Sequence, residues 1–202
     1  MLSDVVGNLL NIDVQKIRVA GKASETTGIS FSVLDYVKEN YPTADIELIK
    51  KLYLEHSISV GDGLLEQGAI EFINFLLSNQ LDYCIMSYGE EGWQNLKISA
   101  TRLSGAPRLI VPSRVKGPYI ASWQDGQNQK YTIPKECFLD NNPRQAREVV
   151  LIDDKLSAFA GLPSGSRGYL VNTSTSYISS DLLHIEQVSS IDKIINLESK
   201  RI

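Results

Sequence analysis

The chain has 202 residues, 43% of them apolar and 22% charged, with a formal net charge of −4. That length suits one domain with an insertion, or one large and one small unit, and can bury a substantial core. Mild acidity gives no clustered basic face for nucleic acid, and the longest apolar helix candidate, Ala69 to Leu77, is interrupted by Glu71 and Asn74 and is too short for a bilayer. The N-terminal stretch lacks the positive region and long apolar core of a signal peptide, so the expected setting is the cytoplasm, with neither nucleic acid nor membrane as partner. Cys84 and Cys137 are too few for a disulfide framework and read as reduced thiols; His56 and His184 stand alone, which argues against zinc.

In chain order, Met1–Leu10 is a short stretch that carries Asp4 and turns on Gly7, read here as a short strand. From Asn11 to Ser59 the pattern is helical, with a loop at residues 21–28. A helix is predicted from Ser30 to Tyr41, stopped by Pro42. Thr43 is placed to cap the next helix, with Asp45 and Glu47 in its first turn and Ile46, Ile49, Leu52 and Tyr53 on its buried side. No strand belongs to this pair, so residues 11–59 read as a small helical insertion over the rest, residues 1–10 and 60–202. Leu65, Ala69, Phe72, Ile73, Leu76 and Leu77 mark a further helix.

Strands then alternate with helices. Residues 83–86 read as a buried strand running into Ser87-Tyr88-Gly89, followed by a helix with Trp93, Leu96, Ile98 and Leu103. Arg108–Pro112 is the next strand, followed by Lys116-Gly117-Pro118. Asp125-Gly126 and the polar run to Lys130 suggest a turn. Val149–Ile152 is a continuous apolar run ending in Asp153-Asp154, as expected of a strand covered on both faces of a parallel sheet. Arg167–Asn172 is another strand, followed by a Ser/Thr-rich loop, and Ser189 or Ser190 caps a last helix containing Ile191, Ile194, Ile195 and Leu197. Such alternation gives an α/β fold with a mainly parallel sheet.

Ligands of open α/β sheets sit beyond the carboxyl ends of the strands. Ser87, Lys116 and Asp153-Asp154 follow three successive strands, in that order. A hydroxyl and an ammonium to hold oxygens, with carboxylates for a divalent cation, suit phosphoryl chemistry, which is mostly positioning and charge neutralisation. Each has a plain structural alternative: Ser87 and Asp154 as helix caps, Lys116 as a solvated surface residue. No G-x-x-x-x-G-K-[ST] or G-x-G-x-x-G occurs, against P-loop and dinucleotide-binding readings.

From about Leu65 to Val171 the chain resembles the haloacid dehalogenase (HAD) superfamily in its small helical-cap form. "YCIMSYG" looks like its second motif, Lys116 in "KGPYIASW" like its third, and "VVLIDDKLSAFAGLP" like its acidic fourth. The resemblance implies a Rossmannoid three-layer core with a parallel sheet and a small cap insertion. It also implies Mg²⁺-dependent hydrolysis of a small phosphomonoester through an aspartyl-phosphate. Asp4 takes the place of the nucleophile, Ser87 of the oxygen-binding hydroxyl and Lys116 of the charge-balancing ammonium. The metal positions fall on Asp4, Val6, Asp153 and Asp154. The family's D-x-D-G-T-L reads Asp4-Val5-Val6-Gly7-Asn8-Leu9, so the acid–base Asp is replaced by Val6; a second register puts the nucleophile at Asp13, with Gln15 in the acid position. These departures keep two other readings open: an impaired HAD fold that binds a phosphorylated ligand or protein partner, and dehalogenase or phosphonatase-like chemistry.

Overall fold

The computed structural model describes residues 2–27, 30–126, 130–172 and 184–201. Gly28, the polar run at 127–129 and the Ser/Thr-rich loop after Asn172 lie outside them. The chain is a mixed α/β protein. In order it forms α1 (Leu2–Leu10), α2 (Val14–Thr27), α3 (Val33–Asn40), α4 (Ile46–Val60), α5 (Ala69–Ser78), β1 (Ile85–Tyr88), α6 (Glu91–Ser99), β2 (Arg108–Val111) and α7 (Gly117–Ser122). There follow β3 (Gln124–Asp125), β4 (Lys130–Ile133), β5 (Arg144–Ala146), β6 (Val150–Asp153), β7 (Arg167–Val171), β8 (Ile185–Val188) and α8 (Ile191–Glu198). Short 3₁₀ turns occur at Gly61–Leu64, Lys135–Cys137 and Leu156–Phe159. No helix among the described residues is long and apolar enough to cross a membrane.

The chain divides into two compact units: residues 1–65, 87–105 and 110–112 in the first, and 66–86, 106–109 and 113–202 in the second. The boundaries expected at residues 10 and 60 are not boundaries of these units.

In the first unit the strand expected before Asp4 is replaced by helix α1. Leu2, Val5, Val6, Leu9 and Leu10 recur at helical spacing, and Val6 is fully buried beside Ile17, Val37 and Ile49. Gly7 is not a turn residue. It lies within α1, where a Cβ would come within 2.3 Å of Val14 Cγ2, so its missing side chain lets the start of α2 close over α1. Asn11, at φ 53°, turns the chain, and Ile12 N donates to Gly7 O at 3.0 Å. Ser32 caps α3 by accepting from Asp35 N, and α3 ends before Pro42 as the sequence predicts. Asp45, not Thr43, caps α4 by accepting from Leu48 N at 2.9 Å. Trp93, Leu96 and Ala100, from α6 and its C-cap, join the core these helices form.

The second unit holds the parallel sheet β6-β7-β8 and an antiparallel sheet β3-β4-β5. Along β6 and β7 successive side chains enter different cores. Leu151 and Leu170 pack with Ile120, Phe159 and Leu162, whereas Ile152, Tyr169 and Val171 pack with Phe72, Ile194 and Leu197. Cover on both faces accounts for Leu151 and Ile152 before Asp153, while Val150 at the start of β6 is 37% exposed. β1 and β2 pair with each other; Ile85 N donates to Pro107 O and Gly89 N to Val111 O, advancing in the same sense along both strands.

At the start of β7, Arg167 grips two carboxylates. Its Nη2 donates to Glu148 at 2.7 Å, and its guanidinium also meets Glu198 at the end of α8, which accepts from the Tyr169 hydroxyl as well. Burial alone raises the Glu198 carboxyl, but its bonds from Arg167 and Tyr169 outweigh that and hold it below the ordinary 4.5. Tyr169 is pushed up to about 12 by burial and by Glu198. A depressed folded-state value stabilises the fold above the unfolded value, and that contribution is lost as pH falls through the folded one. Thermal midpoints recorded downward from pH 5 are therefore expected to fall less steeply in Glu198→Gln than in the natural chain, with the variant less stable at neutral pH.

Candidate functional site

The site builds from the end of β6. Asp153 is the last strand residue, and its Oδ1 accepts from Lys155 N at 2.8 Å, a side-chain turn that stops the strand and starts the Leu156–Phe159 turn. Its Oδ2 accepts from Lys116 Nζ at 2.6 Å. Both side chains are largely withdrawn from water, 12% exposed for Lys116 and 9% for Asp153.

Lys116 is held there by its backbone. The turn after β2 is shaped by Ser113 Oγ, which accepts from Val115 N at 3.1 Å, and Lys116 N donates to Ala158 O at 2.9 Å. Gly117 follows so closely against the turn after β6 that a Cβ would stand 2.3 Å from Ala160 O and 2.4 Å from Leu162 N. Sequence reasoning did not single out Gly117; its position directly after the lysine was the only signal. The glycine seats the start of α7 and carries Lys116 to Asp153.

The other expected residues have different surroundings. Asp154 points to solvent, 68% exposed, and pairs with Lys155 Nζ at 3.0 Å. Ser87 lies inside β1 rather than after it, and it does not cap α6, whose N-cap is Glu90. Its hydroxyl donates to Oε1 of Gln94, a buried amide that no motif or spacing marks out. Gly89, at φ 134°, leaves room for this contact, since a Cβ there would meet Ser30 Oγ at 2.3 Å and Gln94 Nε2 at 2.5 Å.

Asp4 sits within α1, where its carboxylate pairs with Arg18 at 2.9 Å and is 45% exposed. The strand-end setting expected for it is not present. Val6 offers only an apolar side chain to the helical core and no ligand atom. Asp13 also precedes a helix rather than ending a strand, and accepts from Gln15 N at 2.9 Å at the start of α2. Of the expected set, Lys116 and Asp153 are brought into contact within the second unit; Asp4, Val6 and Ser87 belong to the first.

Chemically, the Lys116 ammonium has three donors and spends one on Asp153, leaving two for the oxygens of an anion. Asp153 already accepts on both oxygens, from Lys155 N and from Lys116 Nζ, and Asp154 stands beside it in solvent, paired with Lys155. Among the described residues no group of three or more His, Cys, Asp or Glu side chains converges. One or two carboxylates do not form a closed protein cage; they would hold Mg²⁺ only together with a ligand that brings its own oxygens. No family model matches the chain, and no curated protein or solved structure matches it either.

Two stability measurements check this account. Asp153→Ala leaves a largely desolvated ammonium without its partner and is expected to cost about 3 kcal/mol in urea unfolding, while Lys116→Met with Asp153→Leu together cost far less. Gly117→Ala, which drives a methyl into backbone atoms that cannot step aside, is expected to lower the thermal midpoint although the residue bears no chemistry.

Proposed function

We propose that the chain is a HAD-like α/β protein whose β6 end, with Lys116 and Asp153, binds a phosphorylated small molecule together with Mg²⁺. In this reading the parallel sheet belongs to a Rossmannoid core and the helices of residues 11–59 to a small cap. The observation that carries it is the part-buried Lys116–Asp153 pair at 2.6 Å, joining the residues that resemble the family's third and fourth motifs. Removing two charges from water costs several kcal/mol per ion, so such a pair contributes little to stability and is more readily understood as serving a ligand.

Binding without turnover is the better-supported form of this proposal. Asp4 lies in a helix and is paired with Arg18, Val6 is core, and Asp13 starts α2. A hydrolase acting through Asp4 is the second reading, favoured by the intact lysine–acid pair, which in this family would balance the charge of nucleophile and phosphate.

Calorimetric titration of the purified chain with orthophosphate in the presence of Mg²⁺ tests the first reading. Saturable binding is expected, weakened at least tenfold by Lys116→Ala, together with no phosphate, fluoride or chloride release from a broad panel of phosphoesters, phosphonates and haloacids. Absence of any phosphate binding overturns both readings. Mg²⁺-dependent phosphate release that Asp4→Asn abolishes establishes the second.

A further inference from the structure

In the second unit β8 is an edge strand of the parallel sheet, paired with β7 on one side, and α8 follows it after two residues. The helix folds back over the sheet by burying Ile194 beside Tyr169 and Val188. Along that seam runs an open groove of about 280 Å³, with residues 186–189 on one wall and Lys193, Asn196, Leu197 and Lys200 on the other. Lys193, Asn196 and Lys200 recur at intervals of three and four residues, so they share one stripe of the helix and its terminal turn, where Lys200 N donates to Leu197 O at 3.4 Å. At a rise of about 1.5 Å per residue the two lysines stand roughly 10 Å apart along the axis. The carboxylates of the same helix are turned elsewhere. Glu198 accepts from Arg167 and Tyr169, and Asp192 lies against Gly68, where a Cβ would stand 2.4 Å from its Oδ1. Lys193 and Lys200 are exposed and have no ion pair among the described residues, whereas Lys38, Lys50 and Lys155 each hold a carboxylate. Among the described residues that line the groove, Glu186 is the one acid, so two positive charges face one negative.

We propose that this groove binds an acidic peptide in the polyproline II conformation, with two carboxylates, three residues apart in the peptide, seated on Lys193 and Lys200. The dimensions select a peptide. At about 280 Å³ the groove is smaller than the roughly 300–1,000 Å³ of pockets that enclose a small molecule, and it lies open along a strand and a helix, so it takes one side of a longer ligand. The charge spacing selects the conformation. A polyproline II chain rises about 3.1 Å per residue and repeats every three, which puts residues i and i+3 on one side about 9 Å apart. A β-strand puts the same two on opposite sides. Polyproline II also has no internal hydrogen bonds, and the Asn196 amide between the lysines can both donate to and accept from such a main chain. Nucleic acid fits less well, because Glu186 stands in the groove and the chain carries a net charge of −4. None of this depends on the phosphate-site reading.

The test follows the fluorescence anisotropy of a labelled peptide of repeated Pro-Pro-Glu titrated with the whole chain at low salt. Saturable binding is expected. An exposed ion pair is worth up to about fivefold in affinity, so Lys193→Gln and Lys200→Gln should each weaken binding by about two- to fivefold and the double variant by about tenfold. The same peptide with Gln in place of Glu should bind about tenfold more weakly, and added salt should weaken the acidic peptide through screening. Absence of saturable binding, equal affinity for the Gln peptide, or binding unchanged in the double variant overturns the proposal. A single-stranded oligonucleotide that binds more tightly than the peptide, and is lost in the double variant, overturns it in favour of a nucleic-acid site. The Gln-peptide and salt comparisons use the natural chain, so they decide the matter even if a variant fails to fold.

Discussion

The second unit is organised around one ion pair placed where it is costly to keep. Lys116 and Asp153 are largely withdrawn from water at the end of a strand that is covered on both faces. Desolvating such a pair offsets most of its attraction, so its geometry has to be imposed by the surrounding chain. The imposition is visible on both partners. Asp153 is oriented by the amide of Lys155, and Lys116 by its bond to Ala158 and by the close seat of Gly117. What fixes the pair is therefore backbone docking between the turn after β2 and the turn after β6, more than the charges themselves.

Much of this was legible beforehand because it follows from local rules. The apolar run ending in Asp153 suits a strand of a covered parallel sheet, and Pro42 ends α3 through sterics, although the cap at Ser32 sets its start later than Ser30. The lysine and the acid were recognisable from their order along the chain. Other elements left no trace that a single sequence could show. β3, β4 and β5 are two to four residues long, and β3 and β5 are almost wholly polar; they exist through antiparallel pairing with each other, not through any pattern within them. Gly117 acts through contacts with a segment distant in sequence, and Gln94 meets Ser87 across the turn from β1 into α6, so their roles emerge only with the fold.

The N-terminus misled for a different reason. Asp4 followed by a glycine two residues beyond Val5 invites comparison with a strand-end motif, yet Leu2, Val5, Val6, Leu9 and Leu10 trace a helical stripe. Period outranks motif here. Val6 fills a fully buried position among Ile17, Val37 and Ile49, and Gly7 admits Val14. Val6 and Gly7 are thus helix-packing residues, each with a steric reason to be what it is.

The Arg167 cluster gives the last helix a role beyond packing. Glu198, on the final turn of α8, supplies one of the two carboxylates that surround a guanidinium at the mouth of the central strand of the parallel sheet. The order in which the chain is synthesised therefore matters: β7 emerges with Glu148 already available, but the second counter-charge arrives some thirty positions later. Until α8 has docked, the strand that unites β6 with β8 carries a partly compensated charge at its entrance, so completion of the sheet and attachment of the helix are coupled events.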